Sequence, residues 1–460
     1  MKKISLRRCF VLFLIALYGA GMLLFVFRYT ANAEKWAFYE TNRHVYTDGQ
    51  ITEIGPITDY DGNVLAETVD GKRQYSEDAA VREATLHVVG DRKGFISTGV
   101  QNALRDRLTG YNEINGVYTY SGSGYQTRLT VNSQVSVAAM RALGNYAGCV
   151  GMYNYKTGEV ICMVSTPTFD VDDEQACANA ESGAVSGIFM NRFLSSVYTP
   201  GSTFKMVTAT ASLEKNGDAA YDMEFICKKG AQIDGETVSC VGRHNTITLN
   251  RAFSHSCNAY FSQLAVSLGK KTMTHYAEMY GFNQKFSIDG IPAARSSYRV
   301  ENEREIDFAW SGIGQSTVQM NPLQYLCAVG AIANGGEYAH PYLVKSITSE
   351  AGFPVYTAKT QTTRMLSRET AEKVAGLLDY AVEDNYKKTT FGSLDVCGKT
   401  GTAEVGNGVE NSLFVGFCKD ENLPLAFVVV VEGGGSGKKS ALMVANRTLN
   451  AAKEALQTDS

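Results

Sequence analysis

The sequence predicts an α+β fold: one antiparallel five-stranded sheet flanked by helices, preceded by a small N-terminal stalk module and one transmembrane helix. Three observations carry this prediction. Two pairs of apolar, strand-like runs stand at opposite ends of the region after residue 130, and a helix-rich middle third separates them. A charge-free apolar run, Phe10 to Phe27, of about 18 residues lies near the start and is just long enough to cross a bilayer.

Lys2, Lys3, Arg7 and Arg8 precede the apolar run, against Arg28 and Lys35 after it, so residues 1–9 are expected in the cytoplasm and everything after residue 30 beyond the membrane. Ala31-Asn32-Ala33 also reads as a signal-peptidase site, but the run is longer than the apolar core of a cleaved signal, and an uncleaved anchor over 10–27 is favoured. Residues 28–130 are polar, with short strand-like pieces such as Ile57 to Ala66 and a turn at Asp61-Gly62; they read as the stalk. Arg73 and His87 in that stretch read as structural. The core unit, 131–460, opens with an amphipathic helix over Gln134–Leu143. Cys149–Tyr153 and Val160–Val164 then form a hairpin across Asn154–Glu159. Leu413–Phe417 and Ala426–Val431 form a second hairpin after the strand-like Val396-Cys397-Gly398, and a helix near Ala441–Leu456 covers the resulting sheet.

A chain of 460 residues that is 44% hydrophobic and 20% charged buries a large core plus a smaller module. Its net charge of -4, with no basic run interleaved with aromatics, gives no support for a nucleic-acid partner. Nine of the ten cysteines follow the anchor, where disulfides can persist. Cys227 and Cys240 flank a Lys/Gly-containing excursion and make the best candidate bridge, with reduced thiols an equal alternative. Without a Cys-x-x-Cys, and with six scattered histidines, no metal or cofactor is expected.

The chemistry concentrates in Tyr198-Thr199-Pro200-Gly201-Ser202-Thr203-Phe204-Lys205. Pro200-Gly201 punctuates the chain, apolar residues then recur at helical spacing, and Ser202 falls on the first turn with Lys205 one turn on. On one face, the lysine amine can take the serine proton if burial and nearby cations lower its pKa. A lone Ser-x-x-Lys is more often a capping serine and a solvated lysine. Two later stretches change that balance: Ser256-Cys257-Asn258, opening a second apolar-periodic helix, and Lys399-Thr400-Gly401-Thr402, continuing a strand. Cys257 reads as small filler behind the groove, because no histidine arrangement supports a cysteine nucleophile.

Ser-x-x-Lys, Ser-x-Asn and Lys-Thr-Gly in this order form the signature of penicillin-binding proteins and class A β-lactamases. The likeness extends through Leu129-Thr130-Val131, Asn154–Glu159, Ser165-Thr166-Pro167, Asn191-Arg192, Gly312-Ile313-Gly314-Gln315 and Asn321-Pro322-Leu323-Gln324, and over these the chain resembles class B penicillin-binding proteins. The resemblance implies a transpeptidase domain on a pedestal. It implies a peptidoglycan D,D-transpeptidase that forms an acyl-enzyme on Ser202, with Lys205, Ser256, Asn258 and Lys399 catalytic and Thr400, Gly401 and Thr402 binding substrate. The expected partners are stem peptides ending in D-Ala-D-Ala, β-lactams, the cell membrane, and the division or elongation machinery.

Alternatives stay open at this point. A β-lactamase needs a carboxylate to activate water, and no Glu-x-x-Leu-Asn lies between Asn258 and Lys399. A D,D-carboxypeptidase uses the same groove and differs in letting water resolve the acyl-enzyme. A non-catalytic β-lactam sensor or scaffold is the third. Gly392 and Gly398-Lys399-Thr400 mimic a phosphate-binding loop, but the glycines are spaced too widely and no helical run follows; Gly433–Lys438 lacks the first glycine.

Overall fold

A computed structural model of the chain describes residues 2–39, 46–47, 50–51, 54–111, 114, 116–117, 124–406, 408–437 and 440–457. Part of the expected stalk, and Lys438 of the glycine run, lie outside the described residues.

The first helix, Lys2–Ala37, contains the apolar run and continues beyond it. At 1.5 Å per residue its 36 residues reach about 54 Å, more than the ~30 Å hydrocarbon core of a bilayer. Its apolar side chains are exposed, as a helix long and apolar enough to serve as a membrane anchor requires.

The main sheet has five antiparallel strands in the order Val396–Glu404, Glu410–Cys418, Leu425–Val431, Gly148–Asn154, Val160–Thr166. The two hairpins from opposite ends of the region thus meet where Leu425–Val431 pairs with Gly148–Asn154. Strand alternation divides the sheet between two cores. Leu425, Phe427, Val429 and Val431 point to one side, with Phe414, Val150 and Met152, against the helices Ser133–Leu143 and Ala441–Gln457. Ala426, Val428 and Val430 point to the other, with Leu413 and Val415, against Phe204, Val207 and Leu323 of the helical layer. Because both faces are covered, the strands read as continuous apolar runs rather than as alternating ones.

A second, six-stranded sheet runs Pro354–Thr357, Val344–Thr348, Gln126–Leu129, Ile57–Thr58, Val64–Val69, Lys72–Tyr75. The expected Ile57-to-Ala66 hairpin is present, with Gly62 at φ +92° in its turn. Two of the six strands come from far beyond residue 131. The pairing of Val344–Thr348 with Gln126–Leu129 joins segments more than 200 residues apart, which no local pattern reports. Ile57, Leu65, Val88 and Leu129 share one buried cluster with Phe204 and Val207, so the six-stranded sheet and the helical layer are packed through common core. The helix Ala79–Val89 carries His87, whose Nε2 meets the Ile188 carbonyl at 2.8 Å. Arg73 is buried too, donating to the carbonyls of Ile54 and Gly55 at 3.0 and 3.1 Å.

Burial lowers the His87 pKa from 6.5 to about 4. The folded state keeps this ring neutral where the unfolded chain would protonate it, so its stabilisation is full above pH 6.5 and is lost as pH falls toward 4. The loss amounts to about 3 kcal/mol across that window. Chemical denaturation between pH 6.5 and 4 should show a shallower loss of stability in His87→Gln than in the parent chain.

Candidate active site

Pro200 and Gly201 turn the chain into the serine segment. Gly201 has φ +53°, and its N–H donates to the Gly314 carbonyl at 2.9 Å. Gly314, at φ +75°, must also lack a side chain, because a Cβ there would lie 2.2 Å from the Gly201 oxygen. The expected first α-helical turn is instead a 3₁₀ turn, Gly201–Phe204, leading into the helix Lys205–Asn216. At three residues per turn, positions three apart eclipse one another, which sets Ser202 over Lys205.

The Lys205 amine is buried and has four oxygen neighbours. It lies 3.0 Å from Ser202 Oγ, 2.7 Å from the Ser256 carbonyl, 3.1 Å from Ser256 Oγ and 2.8 Å from Asn258 Oδ1. Burial, and then the positive charge of Lys399, drive its pKa well below the ordinary lysine value. A neutral amine has two N–H donors, which the two obligate acceptors, the Ser256 carbonyl and Asn258 Oδ1, absorb. Its lone pair then faces the hydroxyls of Ser202 and Ser256. Such an amine is chemically able to accept a proton from a hydroxyl 3.0 Å away, which here is Ser202 Oγ.

Ser256 sits at φ +55°, a strained conformation for a residue with a side chain. Cys257 follows as the N-cap of the helix Asn258–Leu268, its sulfur accepting the Tyr260 N–H. Asn258 is the first helical residue and also donates from Nδ2 to the Ser239 carbonyl at 3.0 Å. Lys399 lies on the edge strand Val396–Glu404, in alternation with Cys397 and Ala403, which belong to the core shared with the serine helix. Its buried amine donates to Ser256 Oγ at 3.1 Å. Ser202, Lys205, Ser256, Asn258 and Lys399 are thereby linked through Lys205 and Ser256 in one hydrogen-bonded cluster. Ser202 and Ser256 keep some exposure, while both amines are fully covered.

Thr400 and Thr402 take the opposite alternation. The Thr400 hydroxyl is 2.7 Å from the Tyr386 hydroxyl, and its backbone N–H donates to the same oxygen at 3.1 Å. Thr402 Oγ1 accepts the Gly437 N–H at 3.3 Å and is half-buried. Gly401 packs against the serine turn, where a Cβ would come within 2.8 Å of the Pro200 oxygen. Sequence reasoning missed Tyr386 and its neighbours. On the turn Val382–Tyr386, Asp384 accepts from Ser254 Oγ at 2.5 Å and Asn385 donates to the Ser254 carbonyl at 2.8 Å, so this one turn braces both the serine-asparagine segment and the lysine strand.

The cysteine reading also changes. Cys227 and Cys240 are not bridged; every cysteine is a free thiol. Both turn toward the ring of His244, with Cys227 Sγ 3.4 Å and Cys240 Sγ 3.6 Å from Nδ1. The scattered sequence positions concealed a cluster.

Comparison with known proteins places residues 148–452 in the family described as penicillin binding protein transpeptidase domain. Stage V sporulation protein D of Bacillus subtilis is 31% identical over 68% of this chain, which spans about half (51%) of that relative's length. The peptidoglycan D,D-transpeptidase PbpA of Mycolicibacterium smegmatis is 27% identical, over 86% of this chain and 87% of the relative. Among solved structures, the D,D-transpeptidase domain of a peptidoglycan glycosyltransferase from Eggerthella lenta superposes with a TM-score of 0.77 at 28% identity, covering 88% of this chain and 99% of that one. Penicillin-binding protein A of Mycobacterium tuberculosis, solved as a penicillin G acyl-enzyme, shares the fold at 24% identity and a TM-score of 0.75, covering 87% of this chain and 99% of that one.

Tyr386→Phe removes the oxygen that holds the Thr400 N–H and hydroxyl, leaving a buried donor unpaired at a cost of about 1–3 kcal/mol. The expected result is a melting temperature lower by several degrees. Covalent labelling by a fluorescent penicillin should slow by about tenfold, the equivalent of ~1.4 kcal/mol at the transition state. Stopped-flow acylation together with calorimetry checks both.

Proposed function

The chain belongs to the penicillin-binding protein transpeptidase family, and from that membership we propose that it is a serine D,D-transpeptidase that cross-links peptidoglycan. The observation that carries the proposal is the buried Lys205 amine, 3.0 Å from Ser202 Oγ and within hydrogen-bond distance of two acceptors, the Ser256 carbonyl and Asn258 Oδ1.

Ser202 Oγ gives its proton to Lys205 and bonds to the carbonyl carbon between the two terminal D-alanines of a stem peptide. The backbone N–H groups of Ser202 and Thr402 receive the oxyanion, each typically contributing ~3 kcal/mol. As the tetrahedral intermediate collapses, the proton on Lys205 passes through Ser256 Oγ to the departing nitrogen, and D-alanine leaves. Lys399, bonded to Ser256 Oγ, favours that hydroxyl as the relay and adds positive charge to the groove. Asn258, fixed by Lys205 and the Ser239 carbonyl, offers its amide to the peptide. The edge position of Val396–Glu404 suits pairing with an extended stem peptide, over the stretch Thr400, Gly401, Thr402. Thr402, the half-buried one of the two threonines, offers its hydroxyl to the terminal carboxylate, while Thr400 is oriented by Tyr386. An amine of a second stem then attacks the ester, its proton returns through the same groups, and Ser202 is released as the cross-link forms. A β-lactam acylates the same oxygen and stays attached.

The proposed placement is a cytoplasmic N-terminus, an anchor over 10–27, a pedestal over 28–130 and a transpeptidase domain over 131–460 outside the membrane. The excess of Lys and Arg before the apolar run supports that orientation. Division or elongation machinery is the partner class such an anchored enzyme would meet in the membrane.

Ser202→Ala should abolish labelling by fluorescent penicillin and leave the melting curve unchanged; labelling that survives would assign the nucleophile elsewhere. Lys205→Ala should slow acylation by about 10²–10⁴-fold. In the parent chain the acylation rate falls on the acid side, as the Lys205 amine gains a proton and loses its lone pair, with a midpoint well below that of a free lysine. Product analysis with a stem-peptide donor and an amine acceptor distinguishes cross-link from hydrolysed peptide, and hydrolysis alone would mark a carboxypeptidase.

A further inference from the structure

Behind the Ser256-Cys257-Asn258 turn, four ligand-type side chains that the acyl-transfer chemistry does not use meet at one point. The sulfurs of Cys227, Cys240 and Cys257 and a ring nitrogen of His244 all lie within 4.8 Å of one another. Cys240 Sγ is 4.0 Å from Cys257 Sγ, and the two shortest sulfur-to-imidazole approaches are 3.4 and 3.6 Å. The three cysteines are buried and their thiols free. A disulfide requires sulfurs about 2.05 Å apart. A tetrahedral zinc ion, with Zn–S near 2.3 Å and Zn–N near 2.0–2.1 Å, spaces its ligand atoms roughly 3.5–3.8 Å apart. The close pairs of this cluster fall at the edges of such a tetrahedron.

We propose that Cys227, Cys240, His244 and Cys257 form a closed Cys₃His site for zinc that staples the 225–247 excursion to the serine-asparagine segment of the active site.

Three further features support it. The ligands come from separate pieces of chain: the strand Phe225–Cys227, the 240–244 link, and the cap of the helix Asn258–Leu268. The excursion itself consists of two two-stranded ribbons, Phe225–Cys227 with Asn245–Ile247 and Gly230–Ile233 with Glu236–Ser239. Ribbons of that size do not hold their shape alone in water, and a metal supplies what the small core lacks. The site also meets a backbone donor suited to a thiolate, since the Tyr260 N–H donates to Cys257 Sγ at 3.4 Å.

Four protein ligands leave no position open for water or substrate, so the ion is structural. On binding, the three thiols lose their protons to solvent and the neutral imidazole coordinates through Nδ1. Cys257 stands between Ser256 and Asn258, both in contact with Lys205. The ion therefore fixes the backbone that holds Ser256 at φ +55° and aims Asn258 Oδ1. This consequence for activity rests on the transpeptidase reading; the metal site does not.

The test uses the full chain in detergent, purified without added metal. Elemental analysis should find about one zinc per chain. Removal with a chelator should slow penicillin labelling by about tenfold or more, and zinc alone should restore it. Cobalt(II) loaded in place of zinc should give the intense visible bands of a tetrahedral site with a thiolate charge-transfer band. Cys227→Ser, remote from the acyl-transfer groups, and Cys257→Ser, which keeps a side-chain oxygen to cap the helix, should each lose the stoichiometric ion and those bands. A chain that takes up no metal and gives no cobalt bands, or a native Cys240–Cys257 disulfide found by mass spectrometry, overturns the site. Labelling unchanged after complete metal removal overturns its role in holding Ser256. One zinc per chain in a protein that no penicillin labels would retain the site and sink the enzymatic reading instead.

Discussion

An ammonium group removed from water, with a second cation nearby, is the constraint on which the site depends. Lys205 is fully buried, and its amine is ringed by Ser202, Ser256 and Asn258. Desolvation and Lys399 both favour the uncharged amine. That free energy is supplied by the fold. A solvated lysine at the same spacing would stay protonated and be useless as a base, so the proposed acyl transfer requires the burial of this side chain.

The rest of the structure keeps that pocket in place. The five-stranded sheet, filled on both faces, presents a rigid edge strand whose alternation sends Lys399 toward the serine helix and Thr400 toward Tyr386. Gly201 and Gly314 let the serine turn and a second loop approach to hydrogen-bond distance. Ser256 is held in a left-handed conformation between a capped helix and the brace of Val382–Tyr386, so strain at the reacting centre is offset by packing and hydrogen bonds on either side. The cysteine-histidine cluster takes Cys257 from the same turn.

Regular elements were largely readable from the sequence. The helix expected over Gln134–Leu143 is found at Ser133–Leu143, and both hairpins and the last helix lie within a few residues of their expected bounds, because each carries a strong apolar pattern with turn residues or caps at its ends. Ser202 departs from the expectation in detail, since the positive φ of Gly201 tightens the first turn to 3₁₀ form. The two strands at 344–357 that complete the stalk sheet, Tyr386 with its neighbours, and the convergence of Cys227, Cys240, His244 and Cys257 gave no comparable signal. Cys240 and His244 are four apart, but Cys227 and Cys257 reach them only after the excursion folds back.

The sequence by itself determined the chemical alphabet: a serine and lysine one turn apart, two further motifs in a fixed order, an apolar anchor and a sheet built from the two ends of one region. Periodicity and short spacing express these, because they depend on residues close together along the chain. Tertiary structure alone decided which oxygens surround the Lys205 amine, which threonine is taken by Tyr386, and which thiols share one point in space. Those outcomes depend on burial and on contacts across tens to hundreds of residues, and they exist only once the core has closed.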